Sequence, residues 1–381
     1  MNHKYQLIIL GNKNSFSDEL ITLLLKGGNE LGLSENNFRI IYADNFQELK
    51  RNEPAYCIYF GDVSVREENC DKLKFLQNEA IPILPIVNDL KAVNEILPDI
   101  LHKINTMEVK NEDYCPQIVA RILEGFSLLR KTRKIFISYK RDESSSVALQ
   151  LFEILERHGF DVFLDTHSVP PAEDFQEELF HRMTDCDVVL MLYTKNFFSS
   201  KWTTEEFEKA NSMSIGITQL VWPTVEINDK AKLFIPLNLE IPDFCDEDCS
   251  KLNDSKLRQI VNAIESIRAR SLAARRSNIL TEFVKTLRMM NIIFVQQEND
   301  LIVLENFKGK KKVLVIPTVG VPQSINYNIS REYIESSDFS DVYLLYDHTY
   351  IKNKWLNYLT WLDKHLPVKT IKISEVENWL K

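Results

Sequence analysis

No apolar run in this chain approaches the roughly 20 residues that a membrane-spanning helix requires, so no transmembrane segment is expected. A basic excess is missing as well: 46 Lys and Arg face 55 Asp and Glu, for a formal net charge of −9. A general nucleic-acid binder needs a basic surface to neutralise phosphates, and that class is set aside. Cysteine is sparse, with six residues at 57, 70, 115, 186, 245 and 249. Only Cys245 and Cys249, in "FCDEDC", stand close together, and no nearby histidine completes a zinc set. No metal site is expected, and the remaining cysteines read as buried thiols of a reducing compartment. The start, "MNHKYQLIILGNKNS", turns polar at once and offers no small-residue cleavage site, unlike a signal peptide. A cytoplasmic globular protein is the expectation, with a composition 44% hydrophobic and 27% charged.

What is present is alternation. With 381 residues the chain exceeds what one hydrophobic core usually serves, so two or three domains are expected. Short β-branched or aromatic runs alternate with helical patterns almost throughout, which predicts α/β units with largely parallel sheets. A first domain, 1–132, has strand candidates "YQLIILG", "FRIIYAD", "AYCIYFGD" and "IPILPIV". The helix "YCPQIVARILEGFSLLRK" closes it, with Ile118, Ile122, Phe126 and Leu129 at helical spacing. Asp62 ends the third strand, where a phosphoacceptor receiver domain carries its aspartate. A receiver also needs an acidic pair after its first strand, and Gly11-Asn12 stands there instead. A non-catalytic structural or partner-binding domain is the expectation.

The basic run "RKTRK", Arg130 to Lys134, leads into a second unit, 133–277. Its strands are "KIFISY", "FDVFLD", "DVVLMLYT" and "GITQLVWP", with helix "DSKLRQIVNAIESIRARSLAARR" at its end. A third unit, 278–381, opens with a separate helix, "ILTEFVKTLRMM", and continues as a small α/β domain. The turn "TVGVP", 318–322, follows a strand end, where open α/β sheets bind ligands. "FKGKKK" lacks the glycine framework and Ser/Thr of a phosphate loop.

In "SSKWTTEEFEKA", Thr203 and Glu206 fit the capping-box pattern S/T-x-x-E. The same stretch matches the Trp-x-x-x-Glu motif of NAD⁺-cleaving TIR (Toll/interleukin-1 receptor) domains. "FISYKRDES" at 136–144 resembles the first-strand motif of that family, and "FDVFLDTHSVPPAEDF" at 160–175 resembles its second strand and BB loop. The likeness covers roughly 133–270 and implies a central flavodoxin-like TIR domain with a parallel sheet, flanked by N-terminal and C-terminal α/β domains. The layout is similar to bacterial TIR proteins of antiphage defence and innate immunity. Position 203, often cysteine in the motif, is threonine here.

The resemblance makes Glu206 the catalytic carboxylate; Glu205 is one residue out of register with Trp202. The chemistry explains why one carboxylate can suffice. Nicotinamide leaves NAD⁺ as a neutral ring, so no general acid must protonate it, whereas ordinary glycosidases need a second carboxyl for that purpose. An ionised carboxylate near the ribose would stabilise the positive charge that develops on the sugar. A helix N-terminus suits such an anion. Tyr139, Arg141, Asp165, Phe175 and Trp202 are the substrate-binding candidates: Trp202 by stacking on a ring, Arg141 by bidentate bonds to the diphosphate. His167 lacks an evident partner and is not chosen. The expectation is thus an NAD⁺ glycohydrolase with NAD⁺ as substrate and no separate cofactor. Its family-implied partners are further TIR domains joined through the BB loop, with an activating ligand or protein as trigger. A TIR synthase of cyclic ADP-ribose and a non-catalytic TIR adaptor are the alternatives.

Overall fold

Near-continuous apolar runs become central strands here because both of their faces are covered. The computed structural model describes residues 5–12, 16–51, 53–164, 181–197, 215–228, 231–232, 234–297, 300–336 and 339–381. The described chain forms three five-stranded sheets and divides into two compact units.

The first unit comprises Met1–Lys131 together with Arg258–Ala269. Its strands are β1 (Tyr5–Gly11), β2 (Phe38–Ile41), β3 (Ala55–Phe60), β4 (Ile83–Val87) and the two-residue β5 (Met107–Glu108). They pair in the order β2-β1-β3-β4-β5, all parallel. This is the flavodoxin-like order. The helices are α1 (Phe16–Glu30), α2 (Cys70–Asn78), the single turn α3 (Val93–Ile96) and α4 (Cys115–Gly125). The helix expected to run through Lys131 stops at Gly125. Ser127 takes a left-handed φ of 59°, and Leu128 N–H turns back to Leu123 O at 2.9 Å, which satisfies a terminal carbonyl. Ile118, Ile122, Phe126 and Leu129 are all buried nevertheless.

Gly11 shows how tightly β1 meets β3. Its φ is +85°, and a Cβ there would lie 2.1 Å from Phe60 O. Gly11→Ala should destabilise this unit by about 1–3 kcal/mol, read from the urea dependence of amide exchange in β1 and β3. Unchanged protection would contradict the close approach.

The second unit comprises Thr132–Leu257 and Arg270–Lys381 and holds two sheets. One contains β6 (Lys134–Ser138), β7 (Asp161–Leu164), β8 (Val188–Tyr193), β9 (Gly216–Val221) and β10 (Ile235–Asn238). Its order, β10-β9-β8-β6-β7, repeats the flavodoxin-like arrangement with all pairs parallel. All six residues of β8 are buried. Phe136 and Phe163 stack beneath it at 5.3 Å in a core with Met183, Val189, Met191 and Phe197. The edge strand β10 was not expected, because "IPLN" is mostly exposed and carries proline, which edges tolerate. Helix α5 (Arg141–Arg157) connects β6 to β7.

Helix α6 (Asp254–Met289) corrects the two helices expected over 254–276 and 279–290: they are one helix of 36 residues. The Ser277-Asn278 step contains only modest helix formers, and neither Gly nor Pro interrupts it. Residues 258–269 of α6 cluster with the first unit and the remainder with the second.

The last sheet contains β11 (Phe294–Gln296), β12 (Ile302–Phe307), β13 (Lys310–Thr318), β14 (Asp341–Tyr346) and β15 (Val368–Lys372), in sequence order. The first two pairings are antiparallel and the last two parallel. Helices α7 (Ser324–Glu335), α8 (Asn353–His365) and α9 (Val376–Leu380) complete it. Trp379 packs 5.0 Å from both Phe307 and Tyr343. Trp355 and Trp361 are 44% and 59% exposed, so neither belongs to the core.

Candidate functional site

All strands of the β6-containing sheet run parallel, so their C-terminal ends share one edge. The chain leaves β6 on one side for β7 and returns on the other as β8. Loops at such a reversal separate toward opposite faces and leave the crevice where open α/β sheets hold ligands. The residues flanking that reversal are Ser138 to Glu143 after β6, and Thr194 to Phe197 after β8.

After β6 the chain gives Tyr139, buried beside the strand end, then Lys140 in extended backbone, then exposed Arg141 as the first residue of α5. The helix is kinked at Ser144, whose φ of −144° and ψ of 16° are not helical. Ser144 Oγ donates to Lys140 O at 3.2 Å. The kink separates the first turn from the rest of α5, and that turn carries Glu143.

Glu143 bridges the reversal. Its Oε1 accepts from Lys140 Nζ at 3.0 Å and from Asn196 Nδ2 at 2.8 Å, and its Oε2 accepts from Asn196 N at 3.3 Å. Partial desolvation works to raise this carboxyl. The donors around it, Thr194, Asn196 and Lys140, more than reverse that and hold it down at about 2. It is therefore an anion at any ordinary pH, with no proton to give. Thr194 and Phe197 close a turn, Phe197 N–H to Thr194 O at 3.1 Å, that leads away from β8.

Of the residues expected to bind substrate, Tyr139 and Arg141 flank this reversal. Asp165, Phe175, Trp202 and Glu206 lie outside the described residues, as do His167 and Glu205. Glu143, Lys140 and Asn196 were not singled out in the sequence. The acidic "RDE" of "FISYKRDES" was their only local signal, and Asn196 stands 53 positions away.

A second cluster grips the chain just before β8. Arg275 of α6 donates to Thr184 O at 2.5 Å and to Cys186 O at 2.7 Å. Asp185 pairs with Lys134 Nζ and accepts from Val321 N at 3.1 Å. His181 stacks on Trp355 with ring centroids 5.7 Å apart. The turn "TVGVP" thus spends the Val321 N–H on a carboxylate of this same chain.

In the first unit, Asp62 accepts from Ser64 Oγ at 2.5 Å and Ser64 N at 2.8 Å, and from Asn12 Nδ2 at 3.1 Å. The Ser64 bonds lower its pKa. Its oxygens cap a local turn, beside an asparagine where a receiver would hold acids. An apolar recess in this unit is lined by Leu23, Gly27, Val119, Leu123 and Ala269. Among the described residues no group of three or more His, Cys, Asp or Glu could hold a metal, and no helix is long and apolar enough to cross a membrane.

Residues 135–264 match the TIR domain family. The chain contains a TIR domain, which carries the sheet built around β6 and β8. No curated protein matches the chain. Solved structures similar to it include a putative two-component response regulator/GGDEF domain protein, at 11% identity and a TM-score of 0.30, covering 68% of this chain and 97% of that one. A putative phosphosugar isomerase from Silicibacter pomeroyi has 10% identity and a TM-score of 0.22, covering 72% and 87%. A UDP-GlcNAc 2-epimerase from Neisseria meningitidis has 11% identity and a TM-score of 0.22, covering 74% and 100%. Likenesses this weak say nothing about activity here.

Proposed function

We propose that this protein cleaves the nicotinamide–ribose bond of NAD⁺, with Glu206 as the carboxylate that stabilises the developing sugar cation. The observation that supports this most is the TIR match, because it spans the Trp202-x-x-x-Glu206 motif. The reversal between β6 and β8, where open α/β sheets hold ligands, also supports the reading, since Tyr139 and Arg141 follow β6 there. Asp165, Phe175 and Trp202 complete the proposed substrate contacts. NAD⁺ is the substrate, and the chemistry calls for no further cofactor.

The proposed division of labour follows the segments 1–132, 133–277 and 278–381, with the central TIR segment catalytic and the flanks regulatory. The grip on His181 and Asp185 by Trp355 and Val321 supports a regulatory C-terminal segment, since it bears on the chain that enters β8. The setting we propose is a cytoplasmic antiphage response switched on by assembly of TIR domains through the BB loop.

Incubating the purified protein with NAD⁺ and resolving products by mass tests the reading. Nicotinamide with ADP-ribose is expected; a cyclic product would make the protein a synthase. Intact NAD⁺ under every assembly condition would leave an adaptor. Activity per molecule should rise steeply with protein concentration. Substitutions in "SVPPAED" should lower it without moving the unfolding transition, because loops contribute little to a core. A flat concentration curve from a proven monomer would contradict assembly.

A further inference from the structure

We infer that Glu143 is a positioning residue: it ties the chain leaving β6 to the chain leaving β8, and thereby fixes the point from which the segment bearing Glu206 departs. The inference rests on the proposed role of Glu206.

Three observations carry it. Glu143 holds both the side-chain amide and the backbone N–H of Asn196, so it constrains the main chain and not merely a rotamer. Lys140, on its own side of the reversal, donates to the same oxygen that receives Asn196 Nδ2. The Ser144 kink sets apart the turn that delivers Glu143, and Ser144 is itself buried. Hydrogen bonds to an ionised acceptor are roughly twice as strong as neutral ones, which suits a fixed strut better than a movable contact. With its oxygens already engaged by Lys140 and Asn196, Glu143 is poorly placed to bind a ribose hydroxyl as well. Its effect on chemistry passes through Asn196.

Placement at this scale matters because a displacement of about 1 Å in a reacting group can cost on the order of 10²-fold in rate. Glu143→Gln should therefore lower kcat for NAD⁺ by about 10- to 100-fold while KM changes less than about threefold. Asn196→Ala approaches the same strut from its other end and should give a similar loss. The double variant should be no worse than the weaker single one, since residues acting as a unit are not additive. Multiplying losses, or a loss confined to KM, would overturn the inference.

A substrate-free measurement separates this idea from the reaction itself. The Asn196 amide should exchange at least ~10-fold faster in Glu143→Gln than in the parent protein, with the amides of β8 unchanged. Equal exchange at Asn196 would refute the strut whatever the activity shows. If Glu143→Gln does not fold, Asn196→Ala with exchange read at Phe197 decides instead, and unaltered protection there counts against the strut. Faster exchange in a protein that never cleaves NAD⁺ would keep the strut and sink only the catalytic reading of Glu206.

Discussion

Glu206→Gln is expected to lower NAD⁺ consumption at least ~10²-fold, the scale on which single electrostatic stabilisers act. The carboxylate's proposed work is to oppose positive charge on the ribose as a neutral nicotinamide departs, and glutamine has no charge to oppose it with. Glutamine does preserve the S/T-x-x-E/Q capping pattern that begins at Thr203. The unfolding transition should therefore be unmoved, which separates lost chemistry from lost structure. Glu205→Gln is the control and should keep most of the activity, because position 205 is out of register with Trp202. Comparable turnover in a folded Glu206→Gln protein would end the catalytic proposal.

The largest stability effect is expected in the first unit, at Glu124. Arg268 of α6 is fully buried, and its Nη1 meets Glu124 Oε1 at 2.8 Å on α4. Arg268 also donates to Arg130 O at 2.5 Å, and Arg121 reaches the other carboxylate oxygen at 3.4 Å. Removing Glu124 takes the nearer carboxylate from a guanidinium buried away from water and leaves it Glu265 Oε2 at 3.9 Å, and breaking a buried pair of this kind costs about 3–5 kcal/mol. Glu124→Leu should lose about that much, read from the urea dependence of amide exchange in α4. Glu124→Leu with Arg268→Met should regain little of it, because the buried Glu265 then loses the cation 3.9 Å away and Arg130 O loses its donor. A loss below about 1 kcal/mol in the single variant would mean that neighbouring groups already satisfy Arg268.

The two flavodoxin-like sheets were legible because their strands carry dense β-branched and aromatic runs. The run "VVLMLY" can hardly be anything but a central strand. Elements with weak local signals escaped. Strand β10 is short, exposed and contains Pro236. The unbroken α6 hid behind Ser277-Asn278, where tertiary burial of Ile279, Leu280, Phe283 and Leu287 outweighs modest helix propensity. Helix α4 ended early because Ser127 adopted a left-handed conformation that its residue type does not advertise.

Sequence by itself determined the α/β class, the presence of a TIR domain and the Trp202-to-Glu206 spacing, since all three depend on residues close together along the chain. Only the tertiary structure decided which distant groups meet. Glu143 reaches Asn196 across 53 positions, Glu124 reaches Arg268 across 144, and Asp185 reaches Val321 across 136. A carboxylate carries no mark of its partner in one dimension. Its role is set by which donors the folded backbone brings within hydrogen-bond distance and how far burial withdraws water from them.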